Sequence, residues 1–158
     1  MRKAAAANFC DVWFGWVKAA GGTPNVSAKL LSAGGEVLHD FGVVSIANGR
    51  VAEIVWPTPY ESDGATPVRL QLTQTASNAV AVMDDLRLVP PETTELIRDG
   101  SFETGDGWSA LSPSMVIDYN ENWPFYAEHF ARTVYDGSHV ARIWQQGGFQ
   151  QTVTLSEA

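Results

Sequence analysis

The side chains best suited to chemistry are aromatics and amides crowded into two short stretches. NENWPFYAEHF, residues 120 to 130, holds Trp123, Phe125 and Tyr126, and ARIWQQGG, residues 141 to 148, holds Arg142, Trp144, Gln145 and Gln146. Sugar rings offer an apolar C–H face that stacks on flat aromatics, and their hydroxyls need amide, carboxylate or guanidinium groups around the rim. Trp123, Tyr126, Arg142, Trp144, Gln145 and Gln146 therefore make a candidate ligand-binding set. The competing reading is structural, because tryptophan in a small β-domain serves more often as core than as platform. The sequence assigns Trp16 and Trp108 to the core and places Trp144 at the surface, near Trp123 or Tyr126.

Catalytic chemistry finds little purchase. His39, His129 and His139 sit in separate segments, without the spacing of a helical metal pair. Glu128 and His129 are adjacent, and a strand would send them to opposite faces. Ser101, within DGSFE, lacks the G-x-S-x-G setting of a nucleophile elbow. The single Cys10 has no partner for an internal disulfide and no cluster around which a metal or nucleophile pair could form; it reads as a small buried hydrophobe. The sequence predicts no enzyme. Asn25, Val26 and Ser27 match a glycosylation sequon.

Such a surface needs a scaffold, and composition bounds it. A chain of 158 residues, 45% hydrophobic and 18% charged, suffices for one domain, residues 1–158, with its own core. A net charge of -8 repels phosphate backbones and anionic membrane surfaces, so nucleic acid is not an expected partner. No stretch reaches the roughly 18 apolar residues of a membrane span. The opening MRKAAAANFCDVWFGWVKAA starts like a leader peptide, but Asp11 and Lys18 interrupt the apolar run, and the segment reads as mature protein.

Apolar residues recur at every second position. Val12, Phe14 and Trp16 form one such set, Val68, Leu70 and Leu72 another, and Phe149, Val153 and Leu155, with the polar Gln151 in phase, a third. Turn-forming clusters separate the segments, among them AAGGTPN, SAGGE, IANGR and YDGSH. Strands are predicted over 9–19, 26–33, 36–44, 49–56, 67–74, 79–89, 95–98, 107–110, 114–118, 138–145 and 148–155. The package for them is an all-β, antiparallel two-sheet sandwich of jelly-roll type.

Four phrases resemble the galactose-binding-like β-sandwich superfamily, which includes carbohydrate-binding modules. ELIRDGSFETGDGW, residues 95 to 108, resembles the opening of such domains, and HVARIWQQGGFQQTVTL their middle; FGWVKA resembles the strand that follows, and VAVMDDLRLVP the closing strand. The phrases stand in the wrong order. Residues 95–158 correspond to the N-terminal half of a conventional member and 1–91 to its C-terminal half, joined by a linker at 90–95. The chain looks circularly permuted, or cut from a tandem array. A permuted chain can close on itself, or it can exchange half-domains with a second copy.

The resemblance also implies a structural calcium, held by Glu103 and by Asp84 or Asp85 where the opening and closing strands meet. Ca²⁺ takes six to eight oxygens, so carboxylates and loop carbonyls suit it. The alternative is that Asp84 and Asp85 solvate a strand end while Glu103 accepts turn amides. Two functions follow as expectations: a non-catalytic carbohydrate-binding or adhesive module with a glycan or polysaccharide partner, or a structural assembly protein such as a virion decoration, fibre or filament subunit. Either implies an extracellular or virion-surface location.

Overall fold

A computed structural model describes residues 8–62, 67–89, 97–111, 115–119 and 139–154. Among the described residues there is no helix. The strands are β1 Asn8–Gly21, β2 Asn25–Leu31, β3 Val37–Ser45, β4 Val51–Ser62, β5 Pro67–Gln74, β6 Val80–Val89, β7 Ser109–Ala110, β8 Met115–Tyr119, β9 His139–Trp144 and β10 Gly147–Thr154. They form two antiparallel five-stranded sheets packed as a sandwich. Sheet A runs β4-β1-β6-β9-β8, and sheet B runs β3-β2-β5-β10-β7.

The period-two pattern becomes the inner face. In β5, Val68, Leu70, Leu72 and Gln74 are buried while Arg69, Gln71 and Thr73 are only half-buried; in β10, Phe149, Gln151 and Val153 are buried. Side chains on one face of a strand share one environment, so alternate positions collect in the core. Sheet A contributes Val17, Ala19, Ala81, Met83, Ala141 and Ile143 from its inner face. Each large apolar side chain so buried is worth roughly 1.5–3 kcal/mol.

Both sheets and the core take residues from either side of positions 90–96. β6 pairs with β9 through Val80↔Trp144, Ala81↔Ile143, Val82↔Arg142 and Met83↔Ala141. β5 pairs with β10 along its whole length, from Pro67↔Thr154 to Gln74↔Gly147. The same apolar cluster joins Leu70 and Leu86 to Phe102 and Phe149.

One predicted strand, 95–98, is not seen in its described residues. Ile97–Gly100 is a run of bends and a turn, and positions 95 and 96 lie outside the described residues. Asp99 at φ 52 breaks the extended path. The segment still reaches β6, since Leu86 N donates to Gly100 O at 2.9 Å. A Cβ on residue 100 would stand 2.0 Å from Leu86 O, so only glycine permits this approach. The loop then caps one end of the core. Phe102, fully buried at φ 60, packs on Trp108 and Phe149 with ring centroids 5.3 and 5.5 Å away. Trp108, expected to be core, is partly buried against that core and donates its indole N–H to Asp99 O at 2.9 Å.

Candidate binding corner between the two sheets

β9 ends at Trp144 in sheet A and β10 begins at Gly147 in sheet B, so Gln145 and Gln146 carry the chain from one sheet to the other. Gln145 has φ 58, a left-handed conformation that few residues without glycine's freedom adopt. Its backbone is fixed on both sides. Gln145 N donates to Ala79 O at 2.8 Å, and the carboxamide of Gln74 donates to Gln145 O. The same Gln74 amide faces Ala76 O at 2.9 Å and Ala79 O at 3.1 Å, and its oxygen accepts from Ala76 N. Gln74 is 1% exposed, so it is a buried polar hub whose hydrogen-bonding capacity is consumed within the fold. Outside it, Gln145 and Gln146 are both exposed. Two carboxamides thus sit on a backbone that has little freedom left to lose.

Of the predicted ligand-binding residues, the structure brings Gln145 and Gln146 together at this corner. Trp144 precedes them with its backbone opposite Val80; its side chain, like that of Trp16, lies outside the described residues. Trp123 and Tyr126 also lie outside the described residues. Arg142 departs from the expectation of a rim residue, being only 5% exposed. Its neighbours in β9, Ala141 and Ile143, face the core, so strand alternation sends Arg142 to the outer face of sheet A. There it shares a cross-strand row with Lys18, Val82 and Val116. Asp84, 1% exposed, stands two positions along β6 from Val82 and so on the same face, diagonal to Arg142.

The three carboxylates expected around calcium are each engaged by the protein. Asp84 Oδ1 accepts Asp85 N at 2.8 Å. Asp85, at φ 53, takes a two-pronged contact from Arg87, whose Nε and Nη2 lie 3.1 and 3.0 Å from Asp85 Oδ1. Glu103 Oε1 accepts His139 N at 2.6 Å, and its Oε2 lies 3.2 Å from His139 Nδ1. Among the described residues, no three His, Cys, Asp or Glu side chains converge as a metal-binding group. A structural calcium held by Glu103 and by Asp84 or Asp85 would have to share these carboxylates with their present partners and draw its remaining oxygens from loop carbonyls.

Two buried glutamines stand outside the predicted site residues although the pattern marks them. Gln74 continues the Val68, Leu70, Leu72 face, and Gln151 lies between Phe149 and Val153. A polar residue in phase with the core is the signal of a buried hydrogen-bonding hub. Comparison with protein-family models, curated proteins and solved structures gives no match to this chain.

Proposed function

We propose that the protein is a non-catalytic carbohydrate-binding or adhesive β-sandwich module, with the Gln145–Gln146 corner as its contact with glycan. One observation carries this reading: exposed Gln145 and Gln146 stand together at a corner where the left-handed Gln145 backbone is held by Gln74 and Ala79. Carboxamides offer both donor and acceptor to sugar hydroxyls, and a preorganised backbone reduces the ordering cost of binding. The adjoining Trp144 supplies an aromatic in sequence. A glycan array tests it. Saturable binding that falls at least tenfold in Gln145→Ala/Gln146→Ala, and again in Trp144→Ala, supports the reading; no saturable glycan binding overturns it.

A second reading, a structural assembly subunit such as a virion decoration, fibre or filament, draws on a different feature. Val37, Leu38 and Val43 are exposed on β3, the edge strand of sheet B, with exposed Val51 at the start of β4. Exposed apolar residues on a sheet edge favour contact with another chain. An extracellular or virion-surface location suits either role. The permuted arrangement of a galactose-binding-like sandwich is proposed with them, supported by the β6–β9 pairing and the Leu86–Gly100 contact.

A further inference from the structure

We infer that the Asn48–Gly49 turn is a site of spontaneous covalent modification, at which Asn48 is converted to aspartate and isoaspartate. The turn lies in the crossover from β3 of sheet B to β4 of sheet A. Asn48 and Gly49 are both exposed, and Gly49 has φ 72. A Cβ built on residue 49 would find no atom within 4 Å, so the space beside the Asn48–Gly49 peptide is open. Asn48 is the one asparagine of the chain followed by glycine. The others precede Phe9, Val26, Ala79, Glu121 and Trp123, residues whose own Cβ crowds the nitrogen that would have to attack.

The chemistry needs no reactant other than water. The Gly49 main-chain nitrogen gives up its proton to base and forms a bond to Asn48 Cγ, while the side-chain nitrogen leaves as ammonia, so that a cyclic succinimide remains. Water then opens the ring at either carbonyl. Cleavage of the bond from Cγ to nitrogen leaves aspartate in an ordinary backbone; cleavage of the original peptide bond leaves isoaspartate, in which the main chain runs through Cβ and Cγ.

The structure restrains this attack without closing it off. Gly49 N donates to Ala19 O at 2.9 Å, Arg50 N closes the turn on Ala47 O at 2.9 Å, and Ala19 N donates to Arg50 O at 3.0 Å. Only the first of these engages the attacking nitrogen. Releasing one hydrogen bond at an exposed turn slows the reaction by roughly two- to tenfold, which delays conversion but does not prevent it.

The same bonds give the product a structural effect. Ala19, which holds the turn to β1, is fully buried, and Ile46 just before the turn is 2% exposed. Isoaspartate lengthens the main chain between Ala47 and Gly49 by one atom, so Gly49 N and Arg50 O lose their register with Ala19. Aspartate leaves the backbone unchanged. The inference does not depend on what the Gln145–Gln146 corner binds.

Ageing of the folded protein tests it. After incubation at mildly alkaline pH and proteolytic digestion, the peptide containing Asn48 should carry a carboxyl in place of the carboxamide, by mass, before any other asparagine converts. Part of that peptide should also accept a methyl group from a methyltransferase specific for isoaspartate. The isoaspartate fraction of the intact protein should melt below freshly prepared Asn48→Asp, which carries the new charge on an unaltered backbone. Conversion of another asparagine first, or conversion of Asn48 only after denaturation, overturns the inference.

Discussion

Gln151 and the backbone of Arg98 exchange two hydrogen bonds: Gln151 Nε2 donates to Arg98 O at 2.8 Å, and Gln151 Oε1 accepts Arg98 N at 2.7 Å. Gln151 is 1% exposed and stands on the inner face of β10, so a core side chain takes the place of a neighbouring strand for the residue entering the 97–107 loop. Gln151→Leu removes both bonds and leaves two backbone groups without their partner, at a cost of about 2 kcal/mol or more. Gln151→Glu is worse at neutral pH, because a carboxylate would face Arg98 O. Burial raises the carboxyl's folded-state pKa above its unfolded value, so this variant should gain stability as pH falls and lose it as pH rises. Denaturant melts of the glutamate variant across pH 4 to 8 check the sign; stability rising with pH would refute it.

Phe102 and Gly100 hold the same loop by packing. Phe102 is fully buried against Trp108 and Phe149, and Phe102→Ala should cost about 3–5 kcal/mol. Gly100→Ala should also destabilise, since its Cβ would overlap Leu86 O. Both substitutions should shift Trp108 fluorescence, which reports the loop's seat on the core. Gly100→Ala with wild-type stability would contradict the close approach.

The strands were legible because most are half-buried and repeat every second residue: 67–74 is matched by Pro67–Gln74 and 148–155 by Gly147–Thr154. That signal fails where a left-handed residue breaks the alternation. Ala81 and Met83 face the core, and so does Leu86, because Asp85 at φ 53 reverses the phase between them. Asp99 and Phe102 do the same just after the stretch read as strand 95–98. Aspartate tolerates a positive φ better than most residues, but nothing in the type of Phe102 announces one; its conformation goes with the aromatic packing, which is tertiary. The amides of the corner were found by type, whereas the burial of Arg142 depends on what covers the outer face of sheet A, which strand periodicity does not encode.

Asp40 supplies a test at the opposite edge. Its carboxyl is held below the ordinary value of 3.8 chiefly by the Gly42 amide, 2.9 Å from Oδ1, with Lys29 at 3.2 Å adding to the effect and partial desolvation opposing it. A depressed folded pKa means stability present above the unfolded value and lost as pH falls through the folded one. The site is exposed, so the contribution is small, on the order of 0.5 kcal/mol. Asp40→Asn should flatten the acid limb of the stability curve below about pH 4 and leave neutral pH nearly unchanged; an unaltered acid limb would remove the Gly42 contact from the account.

The engagement of Asp85 by Arg87 and of Glu103 by His139 makes a prediction about metal. A ligand that binds only the folded state at a hundredfold excess over its Kd adds about 2.7 kcal/mol, several degrees in Tm for a domain of this size. With those carboxylates already partnered, excess chelator should leave Tm unchanged. A drop of several degrees, restored by calcium, would show that the carboxylates reorganise around an ion.

The rigidity of the corner rests on Gln74, and that can be separated from the corner's own chemistry. Gln74→Leu keeps the size of the side chain but leaves the carbonyls of Ala76, Ala79 and Gln145 and the amide of Ala76 without their shared partner, at a cost of about 1–3 kcal/mol. The bond from Gln145 N to Ala79 O remains to hold the left-handed residue. Hydrogen exchange at the Gln145 amide should accelerate more than exchange along the β5–β10 ladder, because the loss is local to the corner. Where a glycan binds, its affinity should fall in Gln74→Leu although Gln145 and Gln146 are intact, since the ordering cost is now met on binding. Acceleration spread evenly over the whole sandwich would mean that Gln74 supports the fold at large, and would remove the preorganised corner from the argument.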